Sequence, residues 1–369
     1  MRANPGGAPR RLAINGYGRI GRCFLRALHE AGLARHFQVV AINEPADIAS
    51  MAYLTRFDST HGRFPGKVSA DAAAGMLHID DSAIPVHHAE TPEGVDWRAL
   101  GVEAVIDCSG QYSSRAELAR FLDAGAPRLL LSHPANSAAD VDATIVCGVN
   151  QATLTGAERI LSAASCTTNA IVPLLDLLDR HWGVEAAYLT TLHSVMNDQP
   201  LIDGYHHADL RRTRSAMQSI IPVSTGLARG VERLLPRLAG RVGAKAIRVP
   251  TPNVSAIEFT LALAQPLTLA GLRHILASAA GDTLQGLIAW TEEIHASIDF
   301  NHDPHSAIVD GGALSLAALP NGGSLVNGLV WFDNEWGFAN RMLDVLSHWS
   351  ARWDALCPPL KNNKECSCV

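Results

Sequence analysis

Short apolar runs alternate with segments of helical spacing in the first part of the chain. Residues 12–16 (LAING) are typical of a buried strand, and Ile20, Phe24 and Leu28 then recur at the spacing of one helix face. FQVVAIN (37–43) predicts a second buried strand. The alternation continues with β-type runs at 102–110 and 127–134 and a helical segment at 115–125. Strands and helices in this order predict a doubly wound parallel sheet.

A different pattern begins after Asn169. AIVPLLDLLDRHWG predicts a helix, and β-type stretches then dominate: AAYLTTLHSV, AIRVPTPN, SAIEFTLALA, GLIAWTEE, HSAIVDGG and SLVNGLVWFDN. This change predicts a second domain with a mainly antiparallel sheet. A last helix at about 335–353 has apolar positions suited to packing back on the first domain. We therefore expect domains at 11–165 and 166–332, with disordered tails at 1–10 and 356–369.

Composition narrows the class of protein. A chain of 369 residues has room for about two domains, and its 47% hydrophobic and 18% charged residues argue against disorder. The net charge of −6 disfavours nucleic acid as a partner, and no apolar run approaches the roughly 18 residues of a membrane helix. Seven irregularly spaced cysteines are typical of reduced cytoplasmic thiols. We expect a soluble cytoplasmic enzyme with no membrane partner.

A glycine motif follows the first predicted strand. Gly16, Gly18 and Gly21 form G-x-G-x-x-G between a strand and a helix, where the chain can turn tightly and approach a pyrophosphate closely. Glu44 ends the next strand, and its carboxylate can accept hydrogen bonds from ribose hydroxyls and repel a 2′-phosphate. The motif predicts a Rossmann-type domain that binds NAD rather than NADP. Close packing of helix on sheet is the alternative role for these glycines.

A cysteine and a histidine are candidates for nucleophilic chemistry. Cys166 lies at or near the start of a predicted helix, where backbone N–H groups and the helix dipole lower a thiol pKa. His193 lies on the following predicted strand and could bring an imidazole beside the sulfur. Spacing alone leaves a packed cysteine and a core histidine as alternatives.

Arginines and hydroxyl groups in the second half are candidates for binding a phosphate. DLRRTR (209–214) and Arg248 supply guanidinium groups, Thr225 and Gly226 supply a hydroxyl and a flexible backbone, and Asp198 could orient an arginine. A solvated surface run is the alternative for the arginines of DLRRTR. His302 and His305 in HDPH lack a convincing third ligand, so we expect hydrogen-bonded loop residues and no metal.

Several motifs together resemble the glyceraldehyde-3-phosphate dehydrogenase family from about residue 11 to 350: INGYGRIGR, DSTHGRF, AASCTTN, LHS, DLRRTR, IIPVSTG, RVPTPNVS and WFDNEWGFANR. The resemblance implies a homotetramer in which Cys166 is the nucleophile and His193 its partner. It implies cofactor contacts from Gly16, Gly18, Arg19, Ile20, Gly21, Glu44, Ser132 and Asn334, the last of these to the nicotinamide amide. It implies substrate or anion contacts from Ser165, Thr167, Asp198, Arg212, Thr225, Gly226 and Arg248.

The chain departs from the glycolytic pattern of that family. Met196 stands where glycolytic members have a threonine that holds the substrate phosphate, and Glu44 stands where they usually have aspartate. With SHPA (132–135) and NHDPHSA (301–307), these changes resemble the branch that oxidises erythrose 4-phosphate for pyridoxal 5′-phosphate (vitamin B6) synthesis. We expect an aldehyde oxidation through a Cys166 thiohemiacetal and a thioester resolved by water. The alternatives are a phosphorylating glyceraldehyde-3-phosphate dehydrogenase and a non-catalytic NAD-binding moonlighting protein.

Overall fold

The computed structural model describes residues 8–206 and 209–353. The expected tail at 356–369 lies outside these residues, as does most of the expected tail at 1–10, whose last residue begins the first strand. The first part of the chain contains β1 (Arg10–Asn15), α1 (Arg19–Glu30), β2 (Phe37–Asn43), α2 (Ile48–Arg56), β3 (Phe57–Asp58), β4 (Gly62–Arg63), β5 (Val68–Asp71), β6 (Met76–Ile79), β7 (Ser82–His87), β8 (Ala104–Asp107), α3 (Arg115–Asp123), β9 (Leu129–Leu131), β10 (Ala143–Thr144) and β11 (Ile160–Ser162).

Nine of these strands form a sheet in the order β10-β11-β9-β8-β1-β2-β7-β6-β5, and β3 and β4 pair with each other in a separate two-stranded sheet. The pairs of the larger sheet are parallel from β10 to β7, and β7-β6-β5 adds an antiparallel edge. The central strand β1 is buried on both faces, with Leu12, Ala13 and Ile14 fully buried, as helices cover both sides of such a sheet. This Rossmann-like sheet confirms the predicted fold class of the first part.

The second part contains α4 (Cys166–Trp182), β12 (Val184–His193), β13 (Ile221–Val223), α5 (Leu227–Leu234), β14 (Val242–Arg248), β15 (Ser255–Leu263), α6 (Leu269–Gly281), β16 (Ile288–Thr291), β17 (Ala307–Asp310), β18 (Ser315–Ala318), β19 (Ser324–Phe332) and α7 (Trp336–Ser350). Its sheet has the order β13-β14-β12-β15-β19-β17-β16, with β18 pairing with β19. Most pairs are antiparallel, while β12-β14 and β16-β17 are parallel. The mainly antiparallel second sheet is also as predicted.

Helix α7 belongs to the core of the first sheet although it comes after the second. Its apolar side chains, including Trp336, Met342 and Trp349, share a buried cluster with Phe24 and Leu28 of α1. The contact places the start of α7 beside the start of α1, at the glycine motif. None of the helices in the described ranges is long and apolar enough to cross a membrane.

Candidate active site

The glycine motif makes a tight turn between β1 and α1. Gly16 has φ = 84°, and a Cβ there would lie 2.6 Å from the backbone nitrogen of Ser109. A Cβ on Gly21 would lie 2.2 Å from the carbonyl oxygen of Gly16, whereas one on Gly18 would meet open space. Gly18 is the N-cap of α1, and no side chain caps the helix there. The N-terminus is therefore open to an anion.

Two glutamates support this turn. The Glu44 carboxylate accepts a hydrogen bond from the Tyr17 N–H at 2.6 Å, which places it at the glycine turn. Arg19 donates from Nε to Glu335 at 2.9 Å and also pairs with Asp58. Burial alone would raise the pKa of Glu335, but hydrogen bonds from Arg19 and His61 outweigh burial and lower it to about 2.

Cys166 and His193 meet where the two sheets approach each other. Cys166 is the first residue of α4, which the Ser165 side chain caps by accepting a hydrogen bond from the Thr168 N–H at 3.1 Å. His193 ends β12, and its Nε2 lies 3.8 Å from the Cys166 sulfur. His193 Nδ1 is 2.8 Å from the Ser194 carbonyl oxygen, so Nδ1–H donates there and the Nε2 lone pair faces the sulfur.

Burial controls the charges of this pair. It raises the pKa of the Cys166 thiol to about 11, against the opposing effects of the Thr167 N–H and Arg248. Burial, followed by the charge of Arg248, lowers the pKa of His193 to about 4. The backbone N–H groups at the helix N-terminus lower the thiol pKa, as expected, but burial outweighs them and the net shift is upward. At neutral pH the pair is a thiol and a neutral imidazole that can take its proton.

Three charged side chains lie next to the pair. Arg248 is directly opposite His193 in the parallel pairing of β12 with β14. Asp198 accepts a hydrogen bond from Arg212 Nη1 at 2.9 Å, and Asp198 and Arg212 both act electrostatically on Arg248. Arg248 Nη1 is buried without a hydrogen-bond partner among the described residues, so the guanidinium can bind an acceptor from a ligand.

A cavity of about 890 Å³ connects the glycine turn with the cysteine–histidine pair. Eight of the predicted residues line it: Gly18, Arg19, Ile20, Ser132, Ser165, Cys166, His193 and Asn334. Gly16, Gly21 and Glu44 support the turn without lining the cavity, and Asp198, Arg212 and Arg248 form the charged group beside it. Thr167 is hydrogen-bonded to Ser165, with 3.0 Å between their hydroxyl oxygens.

Thr225 and Gly226 lie at the start of α5. The Thr225 hydroxyl accepts a hydrogen bond from the Leu227 N–H at 3.2 Å. One turn later Gly230 packs on α4, where a Cβ would lie 2.9 Å from the Thr168 hydroxyl oxygen. This contact brings the start of α5 close to the helix that begins with Cys166.

Sequence reasoning missed the partners of several site residues. Asp58, His61 and Glu335 belong to quoted motifs, yet nothing in the local pattern predicted that Asp58 and Glu335 pair with Arg19 or that His61 bonds Glu335. His302 is a hydrogen-bonded loop residue, as expected, with Nδ1 3.2 Å from His61 Nδ1 and Nε2 2.8 Å from the Glu30 carboxylate.

The His305 side chain bonds Asp303 at 2.8 Å, also as expected for a loop histidine. Cys23, His61 and Glu335 have potential metal-ligand atoms within 4.8 Å of one another. Because the Glu335 carboxylate is already bonded to Arg19 and His61, this cluster supports no metal site.

The described residues fit NAD. The cavity runs from an uncapped helix N-terminus suited to a pyrophosphate to the Asn334 amide, whose Nδ2 has no hydrogen-bond partner among them. A glycine turn on a parallel sheet, joined to a cysteine–histidine pair on a second sheet, defines an NAD-dependent aldehyde dehydrogenase, an oxidoreductase.

Two family models match the chain and together span most of it. Residues 10–115 match the NAD binding domain of glyceraldehyde 3-phosphate dehydrogenase, and residues 165–334 match its C-terminal domain. The chain belongs to the glyceraldehyde-3-phosphate dehydrogenase family, and its cofactor is NAD.

Proposed function

We propose that this enzyme oxidises D-erythrose 4-phosphate to 4-phospho-D-erythronate, which feeds pyridoxal 5′-phosphate synthesis, and that it works as a homotetramer in the cytoplasm. Residues 11–165 with the last helix (335–353) form the NAD-binding domain, and 166–332 form the catalytic domain. The observation that carries the substrate assignment is Met196, which lines the cavity with a half-exposed side chain. A thioether offers a phosphate no hydrogen bond, unlike the threonine of glycolytic relatives.

Each proton in the proposed mechanism moves through His193. Its Nε2 takes the thiol proton as the Cys166 sulfur bonds to the aldehyde carbon. It then gives this proton to the former aldehyde oxygen, which completes the thiohemiacetal. Bound NAD⁺ supplies the hydride acceptor. His193 takes the hydroxyl proton as the thiohemiacetal is oxidised to a thioester.

The thioester is then hydrolysed. His193, after releasing that proton to solvent, removes a proton from water, which attacks the thioester carbon. The carbon–sulfur bond breaks and the acid is released as a carboxylate. His193 returns its proton to the Cys166 sulfur, which becomes a thiol again. NAD⁺, water and the aldehyde are consumed, and NADH, the acid and protons are formed.

The charged group beside the pair supports water as the acyl acceptor. The Asp198 carboxylate already bonds Arg212, and its negative charge offsets part of the positive charge of Arg212 and Arg248. Inorganic phosphate would have to compete with this carboxylate for the Arg212 guanidinium. Water meets no such competition.

Self-association is supported by apolar side chains on the surface of the described chain. Between β12 and β13, Leu201 is 72% exposed, Tyr205 fully exposed and Leu210 84% exposed. Such a concentration of large apolar groups is typical of a protein–protein interface. Burial of this segment between copies of the chain agrees with the proposed tetramer.

The test is NADH formation from erythrose 4-phosphate and glyceraldehyde 3-phosphate, each with and without inorganic phosphate. We expect faster turnover of erythrose 4-phosphate, independent of phosphate. Equal or better turnover of glyceraldehyde 3-phosphate that strictly requires phosphate would instead identify the phosphorylating enzyme. Absence of turnover with either aldehyde, with NAD still bound, would support the non-catalytic alternative.

A variant tests the choice of water directly. Asp198→Asn should increase the fraction of product formed as acyl phosphate at a given phosphate concentration, because Arg212 loses its competing carboxylate. Asp203→Asn is the matched control, since Asp203 pairs with Arg214 at 3.1 Å on the exposed part of the same segment. An unchanged product ratio in Asp198→Asn would contradict the role given to this carboxylate.

A further inference from the structure

Two buried serine hydroxyls hold the side-chain oxygen of Asn334. Ser194 and Ser255 each donate to Asn334 Oδ1 with an oxygen–oxygen distance of 2.8 Å. Ser194 follows the end of β12 and is fully buried, and Ser255 begins β15 and is 1% exposed. The two strands are neighbours in the second sheet, so this arrangement depends on the sheet as a whole.

The hydrogens available to these groups determine which way the amide points. The Ser194 N–H donates to Ser255 Oγ at 3.1 Å, so the Ser255 hydroxyl hydrogen needs a different acceptor. Asn334 Oδ1 at 2.8 Å is closer than Ser194 Oγ at 3.5 Å. The Ser194 hydroxyl also finds its acceptor in Oδ1. With the oxygen held by two donors, the NH₂ group is left for the cavity, where no described residue bonds it.

We propose that Ser194 and Ser255 are positioning residues that present the Asn334 NH₂ as a fixed donor to the carboxamide oxygen of the nicotinamide ring. This inference rests on the proposed function, in which bound NAD⁺ accepts the hydride, and on the nicotinamide contact that the family resemblance implies for Asn334, which lines the same cavity as Cys166. In the opposite amide orientation, Asn334 Oδ1 would face the carboxamide oxygen of the ring, and two acceptors cannot form a hydrogen bond. The serines therefore favour a cofactor ring that carries a carbonyl acceptor, and they keep that ring in one rotational position beside the sulfur.

Binding measurements on the full chain separate this role from a structural one. NAD and ADP-ribose share every group except the nicotinamide ring, so calorimetric titration of both isolates the contribution of the ring. In the double variant Ser194→Ala/Ser255→Ala we expect the Kd for NAD to rise about tenfold, the size of one lost hydrogen bond. The Kd for ADP-ribose should change less than about twofold, because its contacts lie away from Asn334.

The serines should act only through Asn334. Asn334→Ala alone should raise the Kd for NAD to a similar degree. Adding the two serine substitutions to Asn334→Ala should have little further effect on this Kd. Ser255→Thr, which keeps a hydroxyl, should retain most of the affinity. Thr191→Val is the matched control, because Thr191 on β12 is a buried hydroxyl without a hydrogen-bond partner among the described residues.

The outcomes are distinct. If the double serine variant binds NAD and ADP-ribose more weakly by the same factor, the fold is disturbed in general and the proposal is overturned. An unchanged Kd for NAD would also overturn it. Additive effects of the serine changes and Asn334→Ala would also overturn it. None of these measurements uses an aldehyde, so a wrong substrate under the proposed function would leave the result intact.

Discussion

The Glu335 carboxylate gives a prediction whose magnitude follows from the structure. Its pKa falls from an ordinary 4.5 to about 2, because hydrogen bonds from Arg19 and His61 outweigh the cost of burial. Its side chain is only 17% exposed, so solvent screening is limited. Lowering this pKa from 4.5 to about 2 corresponds to about 3 kcal/mol of folding free energy. Glu335→Gln should lower the free energy of unfolding at pH 7 by about that amount.

The pH dependence of this loss has a definite sign. A carboxyl group with a depressed pKa stabilises the fold fully above its unfolded value of about 4.5, and the contribution disappears as the pH falls toward 2. The difference between wild type and Glu335→Gln should therefore be smaller by about 1 kcal/mol at about pH 3.5 than at pH 7. Urea unfolding at the two pH values measures it.

Glu93 provides a matched control with the same direction of shift. The hydrogen bond from Arg120 lowers the pKa of Glu93 to about 2 as well, but this pair lies on the surface, with Glu93 47% exposed. Because water screens such a pair, Glu93→Gln should cost much less stability. Equal losses in the two variants, or a Glu335→Gln loss that does not change with pH, would refute the assignment of this stability to the buried charge.

Three further predictions concern the nucleophile and the glycine turn. Cys166→Ser should reduce turnover by several orders of magnitude and leave the Kd for NAD unchanged by calorimetry; retained turnover would exclude the sulfur as nucleophile. Alkylation of Cys166 by a neutral reagent should accelerate roughly tenfold per pH unit between about pH 7 and 9, since burial raises its pKa to about 11. A rate that is constant over this range would indicate a thiolate–imidazolium pair instead. Gly21→Ala should raise the Kd for NAD by at least about tenfold, because the new Cβ would lie 2.2 Å from the Gly16 oxygen and force the turn open; unchanged binding would show that the turn can relax.

Elements with continuous apolar runs could be predicted closely. The run at 37–43 coincides with β2 (Phe37–Asn43), because a central parallel strand is apolar along most of its length. Strands β5 (Val68–Asp71) and β6 (Met76–Ile79) were not predicted. Strand β5 is the edge strand and most of its residues are exposed, so no apolar pattern marks it, and β6 has only four residues.

The chemistry-bearing residues could be found from motifs, but their partners could not. Arg19 and Glu335 are 316 residues apart, and only the return of α7 to the first sheet joins them. The same holds for Ser194 and Asn334, which are 140 residues apart. The direction of the Cys166 pKa shift could not be predicted either, since it depends on how completely the folded chain removes water from the sulfur.

The position of α7 has a consequence for synthesis of the chain. Leu28 and Trp349 share one buried cluster, so the packing of α1 against α7 cannot form until the ribosome has added more than 300 further residues. At roughly 5–20 residues per second this takes about 15 to 65 s. During that time the face of α1 that packs on α7 in the folded protein lacks this partner helix, so the core of the first sheet is completed only after the second sheet has been synthesised.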